Sequence, residues 1–157
     1  MEDGAPVNDA AMVAEIQTNL LGLIRVTAEF LPHLKKQAGA TLVNVSSGLA
    51  FIPMPAFPVY CANKAAVHSF TLTLRQQLKN SGVKAIELIP PYVATELGGG
   101  MPAPAGALHQ MSLENFVAEA MRELAGDEDE IAIGGAKNLF AASGADKVKQ
   151  IVAERNR

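Results

Sequence analysis

At 157 residues the chain has the length of one domain, and a formal net charge of -3 gives it none of the positive field that nucleic-acid binding requires. Hydrophobic residues make up 49% of it, enough for a packed core, yet no apolar run reaches the ~18 residues of a membrane span, and Met1–Pro6 lacks the basic and apolar parts of a secretory leader. The single cysteine, Cys61, excludes an intrachain disulfide and fits a reducing compartment, so a cytoplasmic protein is expected.

Residues 1–9 are small and polar and read as a loose terminus. From about Ala10 to Gln37, Met12, Ile16, Leu20, Leu23, Thr27, Leu31 and Leu34 recur at three- and four-residue steps, the period of an amphipathic helix. Gly22 weakens that helix, and Pro32 removes one backbone donor and predicts a kink. Gly39-Ala40 stops it. Residues 41–46 (Thr-Leu-Val-Asn-Val-Ser) are short, apolar and β-branched, which suits a buried parallel strand. Gly48, Pro53, Pro55 and Pro58 predict a loop over 48–58. A second long helix is expected from about Val59 to Asn80, with the small residues Ala62, Ala65, Ala66 and Ser69 on an inner face, ended by Ser81-Gly82.

Val83–Ile89 is a second strand, closed by Pro90-Pro91. Residues 94–111, with Gly98-Gly99-Gly100, Pro102 and Pro104, read as a mobile loop. Ser112 is placed to cap a helix over about 113–125, although Asn115 stands where a capping box prefers Glu. The acidic run Asp127-Glu128-Asp129-Glu130 reads as a solvated loop leading into a third strand, Glu130–Ile133, and a polar helix is expected over about 145–155. Helix and strand alternate throughout, which predicts an α/β fold with a parallel sheet. Three strands are few for such a sheet, so the fold reads as partial.

Tyr60 and Lys64 stand four apart near the start of the second long helix and so share a face. A phenol ionises near ~10, too high for acid/base work at neutral pH, and a neighbouring ammonium lowers that value. Ser46 and Ser47 close the strand before it, and strand C-termini are where open α/β sheets place ligands. Alone, the Tyr/Lys pair is a common coincidence and the serines are ordinary turn residues.

Together they form a specific order: Asn44-Val45-Ser46-Ser47-Gly48, then Tyr60 thirteen residues after Ser47, then Lys64, then Pro90-Pro91-Tyr92-Val93-Ala94-Thr95 after the next strand, with Thr18-Asn19-Leu20-Leu21-Gly22 upstream. This pattern resembles the short-chain dehydrogenase/reductase family over about residues 10–155. The run from Pro58 to His68 looks like the bacterial branch related to the DltE-type oxidoreductases.

The resemblance implies a Rossmann-like, doubly wound parallel sheet of which this chain holds the C-terminal, catalytic and substrate half, with the first four strands of the family fold and their glycine-rich cofactor turn outside it. It implies hydride transfer between NAD or NADP and a small-molecule carbonyl or alcohol. Tyr60 would be the acid/base. Lys64 would lower its pKa and hydrogen-bond the nicotinamide ribose. Ser47 would polarise the substrate carbonyl, and Asn19 would hold a water on the proton path. Pro90, Val93 and Thr95 match the turn that meets the nicotinamide carboxamide. Residues 94–111 resemble the substrate lid, with Leu97 and Met101 facing substrate together with Ser47. The helices over about 10–37 and 59–80 would mediate homo-oligomerisation.

Pro91 stands where most of the family has glycine, so that turn is expected to sit differently. The residue that separates NAD from NADP lies in the family's front half. A second class of function follows from the same features: a non-catalytic interaction module that keeps the oligomerising helices and presents the 41–46 strand as an edge. His33, His68 and His109 have no metal-ligand spacing; His68, four after Lys64, reads as a surface or satisfied histidine rather than a site residue, and Cys61 as a small core residue.

Overall fold

The computed structural model describes residues 8–96 and 110–155. The loose terminus expected over 1–9 and the loop expected over 94–111 therefore fall largely outside the described residues, and Leu97, Met101 and His109 fall wholly outside them.

Three parallel strands form one open sheet in the order β1 (Thr41–Val45), β2 (Lys84–Ile89), β3 (Glu130–Ala132). Thr41 to Val45 pair with Lys84 to Leu88, and Glu87 to Ile89 pair with Glu130 to Ala132. The central strand β2 is buried on both faces from Ala85 to Ile89. Its near-continuous apolar run is what such a position selects.

Helices flank the sheet on both sides, as the alternation predicts. On one side of β2, Ile86 and Leu88 meet Ala120 and Phe116 of α4 (Leu113–Leu124), together with Ile131 and Ile133. Ala85 faces the other way, into Leu74 and Leu78 of α3 (Pro58–Leu78) and Leu31 and Leu34 of α2 (Leu23–Leu34). Ile89 and Ile133 are fully buried. Each such side chain contributes about 1.5–3 kcal/mol by leaving water.

Local chemistry sets the element ends. Pro58 opens α3 at its first turn, where the missing N–H costs nothing. Ser112 Oγ accepts from Asn115 N at 3.2 Å and caps α4, as expected. Gly48 packs closely on α5: a Cβ there would lie 2.9 Å from Leu139 Cδ1 and 3.3 Å from Ala136 Cβ, so a larger residue requires the leucine to shift.

Four expectations are corrected. The helix over 10–37 is α1 (Asp9–Ile16) and α2, joined by a wide π turn at Gln17–Gly22. A further helix, α5 (Ala136–Ser143), precedes α6 (Ala145–Arg155) and is separated from it by Gly144 at φ 70°. The small residues Ala62, Ala65 and Ser69 of α3 point outward, while Cys61, Asn63, Lys64, Val67 and Thr71 point in. The acidic run is not wholly solvated, because the Glu130 side chain is only 3% exposed.

Candidate active site

The end of β1 and the first turns of α3 bring the expected residues together. Beyond Val45 the backbone continues beside β2, with Ser46 N donating to Leu88 O at 2.9 Å and Gly48 N to Pro90 O at 3.0 Å. The serine turn is thereby fastened to the Pro90-Pro91 turn. Pro91 is accommodated against Gly134, where a Cβ would lie 3.5 Å from the Pro91 ring. Val93 is held by Met111 through Met111 N to Tyr92 O at 2.9 Å and Ala94 N to Met111 O at 2.8 Å. Thr95 is exposed just beyond it.

Ser47 is buried, and its Oγ accepts from Leu49 N at 3.2 Å. The hydroxyl proton remains free to donate, and Ser47 lies near enough to the Tyr60 phenol to favour its ionised form. Lys64 is also buried; its Nζ donates to Val45 O at 3.0 Å and lies 5.7 Å from the centre of the Tyr60 ring. An ammonium has three protons, so two remain for a ligand. Ser46 Oγ is buried beside them without a partner among the described residues.

The electrostatics differ from the expectation for this pair. Burial pushes the Tyr60 phenol above its ordinary value; the Ser47 hydrogen bond opposes this, while Cys61 and Glu15 add to it. Lys64 is not among the groups that lower it. Burial pushes the lysine itself down, toward its neutral form, and its proton is engaged by a main-chain oxygen. In this structure Tyr60 is therefore a phenol that keeps its proton, suited to donating it.

Asn19 sits in the π turn, which packs against α3. Its Nδ2 donates within its own helix, to Glu15 O at 3.2 Å, and leaves Oδ1 as the atom that could hold a water. Two residues beside it escaped the sequence reading. Asn63, buried next to Lys64, donates from Nδ2 to Glu15 Oε1 at 3.4 Å. Neither residue belongs to the motif, and a helix–helix contact 48 positions apart leaves no periodic trace.

The chain matches the family model described as short chain dehydrogenase over residues 2–104. It belongs to the short-chain dehydrogenase family. Among curated relatives of this family, the uncharacterized oxidoreductase DltE of Bacillus subtilis (strain 168) is 41% identical over 133 residues, which cover 84% of this chain and 53% of that protein. Sulfoacetaldehyde reductase 2 of Chromohalobacter salexigens is 39% identical over 100 residues, 60% of this chain and 40% of that one. A short-chain dehydrogenase from Burkholderia cenocepacia J2315, solved in complex with NADP, superposes with a TM-score of 0.75 at 27% identity, over 96% of this chain and 63% of the other. This chain thus spans about half the length of the curated relatives it matches.

His68 is largely buried and Cys61 is buried. The Cys61 thiol is buried against Met54, with Met54 N 3.4 Å from Sγ. His68 Nδ1 is 2.7 Å from Glu87 Oε2, and its ring meets Phe51 edge-on. His68, Glu87 and Glu130 bring ligand-type atoms within 4.8 Å of one another, a grouping that linear spacing does not show. Glu130 already faces Arg75 at 3.6 Å and Lys149 at 3.2 Å. Two carboxylates there have two cations with a histidine alongside, so a divalent ion would add unbalanced positive charge to a buried place.

Proposed function

We propose that this chain is the catalytic and substrate half of an oxidoreductase that transfers hydride between NAD or NADP and a small-molecule carbonyl or alcohol. The observation that carries the reading is the gathering of Ser47, Tyr60 and Lys64 at the end of β1, with Ser47 acting on the phenol and Lys64 Nζ 5.7 Å from the centre of the Tyr60 ring. Tyr60 donates its proton to the substrate oxygen as hydride arrives at the carbon, and takes one back in the reverse direction. Ser47, with its lone pair engaged by Leu49 N, donates to the same oxygen and stabilises the charge that grows there. Leu97 and Met101 would complete the substrate side with Ser47.

The residues fit the nicotinamide end of such a cofactor. Lys64 has spare donors for ribose hydroxyls, and the turn carrying Pro90, Val93 and Thr95 would meet the carboxamide. When bound, the nicotinamide supplies or accepts the hydride; the protein supplies position and the proton. Asn19 Oδ1 would hold a water on the route by which Lys64 is reprotonated. The solved Burkholderia cenocepacia relative in complex with NADP supports a nicotinamide cofactor.

The reading also takes in self-association through α1–α2 and α3. Val26 and Phe30 on α2 are 59% and 57% exposed, and the small outward face of α3 at Ala62, Ala65 and Ser69 lets a partner helix approach closely. No helix of the described residues is long and apolar enough to cross a membrane. With Cys61 free and buried, we place the protein in the cytoplasm.

The test is oxidation of NADH or NADPH by the purified chain against a panel of aldehydes and ketones. Slow turnover is expected, because the pyrophosphate cradle of the family lies in its front half, and Tyr60→Phe should reduce that turnover by about 100-fold or more. Turnover unchanged in Tyr60→Phe, or none with any carbonyl at saturating cofactor, would count against the reading.

A further inference from the structure

The Pro90–Thr95 turn rests on a corner of the chain that the motif does not contain. Beyond β3 the backbone passes into α5 through Gly134, at φ 50°. A Cβ on Gly134 would lie 3.2 Å from Met111 Sδ and 3.5 Å from Pro91 Cγ, so both side chains pack directly on this corner. Met111 in turn pairs with the backbone of the turn: its N donates to Tyr92 O at 2.9 Å, and its O accepts from Ala94 N at 2.8 Å. Neighbouring amides of the corner go to main-chain acceptors, Ile133 N to Ile89 O and Ala136 N to Ile133 O, each at 3.0 Å. Gly134 N goes to a side chain instead, Glu119 Oε1 of α4, at 3.3 Å and 15 positions away. The same oxygen lies 2.7 Å from Lys137 Nζ of α5.

We propose that Glu119 is a positioning residue for the cofactor-facing turn: its carboxylate fixes the Gly134 corner, and the corner fixes Pro91 and Met111 and with them the backbone from Tyr92 to Ala94. The inference rests on the reading of Pro90, Val93 and Thr95 as the turn that meets the nicotinamide, and deepens it. The Glu119 side chain is 18% exposed. Lys137, and after it the Gly134 amide, hold its carboxyl below the ordinary carboxylate range against the opposing effect of burial, so it is an ionised acceptor at neutral pH. An amide bonded to a carboxylate is held more firmly than one bonded to a neutral oxygen. Lys137 is 49% exposed, so its ion pair contributes less than its short distance suggests. The amide bond is the contact that reaches the turn. The corner also accommodates the proline at position 91: a side chain at Gly134 would press on the Pro91 ring, and glycine adopts the positive φ without strain.

The experiment is amide hydrogen exchange at Ala94 and Met111, followed by NMR on the full chain without cofactor. Glu119→Ala is expected to speed exchange at both by about 10-fold, the order that losing one charge-assisted hydrogen bond produces. Lys84 N, which donates to Ala40 O at the far end of the sheet, should keep its wild-type rate. Glu119→Gln keeps an acceptor for Gly134 N and is expected to restore most of the protection. Lys137→Met breaks the ion pair, leaves the amide bond and is expected to change little. Unchanged exchange at Ala94 and Met111 in Glu119→Ala overturns the proposal. Acceleration that extends equally to Lys84 overturns it too, as general destabilisation, and so does a Lys137→Met variant as fast as Glu119→Ala, which would make the carboxylate a plain staple between α4 and α5. In turnover, Glu119→Ala is expected to raise KM for NADH about threefold with a smaller fall in kcat, and a fall in kcat alone would remove the assignment to the cofactor turn. Exchange is read without cofactor or carbonyl, so its failure is distinct from unchanged turnover in Tyr60→Phe, the result that counts against hydride transfer.

Discussion

Tyr60 and Lys64 carry opposite linkage to folding, and the signs can be worked from their surroundings. The phenol is raised chiefly by burial, so the folded chain holds that proton after the unfolded chain has begun to lose it. The stability this contributes is whole below the ordinary tyrosine value near ~10 and is lost as pH rises through the folded value. Lys64 is lowered by burial, so its contribution is present above the ordinary lysine value near ~10.4 and is lost as pH falls through the folded one. Urea unfolding at a series of alkaline pH values, short of global alkaline denaturation, separates the two. Wild type should lose ground to Tyr60→Phe as pH rises past ~10, and should gain ground on Lys64→Met as pH rises toward ~10.4. Parallel stability curves for wild type and either variant would mean that the side chain is not held as described. The two residues were legible in the sequence because their spacing is local. Their electrostatics were not, because the dominant influence on each is burial by distant elements, and a four-residue spacing cannot show that Lys64 donates to Val45 O.

Helix α3 sits on the sheet through a row of polar links as well as the apolar side chains of Leu74 and Leu78. Lys64 reaches Val45 O at 3.0 Å, His68 reaches Glu87 at 2.7 Å, Thr71 Oγ1 accepts from Asn44 Nδ2 at 3.0 Å, and Arg75 Nε donates to Ala85 O at 3.0 Å. Positions 64, 68, 71 and 75 lie on one helical face. This row fixes the rotation of α3 and hence the direction in which Tyr60 points. Glu87 is fully buried at its centre, so removing one partner strands a charged or polar group. His68→Ala and Glu87→Ala are each expected to cost about 3–5 kcal/mol in denaturant unfolding, while the double variant costs clearly less than their sum. Strict additivity would show that the pair does not hold the helix to the sheet. Hydrophobic periodicity finds α3, but the small residues expected on its inner face do not lie there: Ala62, Ala65 and Ser69 are exposed and Ala66 is half-buried, while the polar Asn63, Lys64 and Thr71 are buried. α5 escaped for a related cause: Gly134-Gly135 before it and Gly144 after it bracket a segment too short to show a helical period.

At the scale of the whole molecule the sheet is uneven. β2 is enclosed, whereas β1 is an outer strand with Val43 39% and Val45 43% exposed, and Leu21, Val26 and Phe30 lie uncovered on the neighbouring helices. The sequence shows the parallel sheet, its partial extent and the outer place of strand 41–46; it does not show that Val43 and Val45 stay exposed, because a short β-branched run reads as a buried strand. A bare strand edge and an apolar helix face favour association by different routes, and two variants distinguish them. Val43→Lys places a charge beside the edge, which opposes strand-to-strand pairing and leaves a helix-mediated dimer intact. Phe30→Ser removes apolar area from α2 and should act on the helical contact alone. Light scattering over a concentration series is expected to show self-association that Phe30→Ser weakens to a discrete smaller species. If Val43→Lys alone abolishes association, the edge rather than the helices is the contact. The Tyr60 site at the strand ends would then be shaped by whichever chain completes the sheet, because β1 carries Ser47 at its tip and any strand paired along it would border the same pocket.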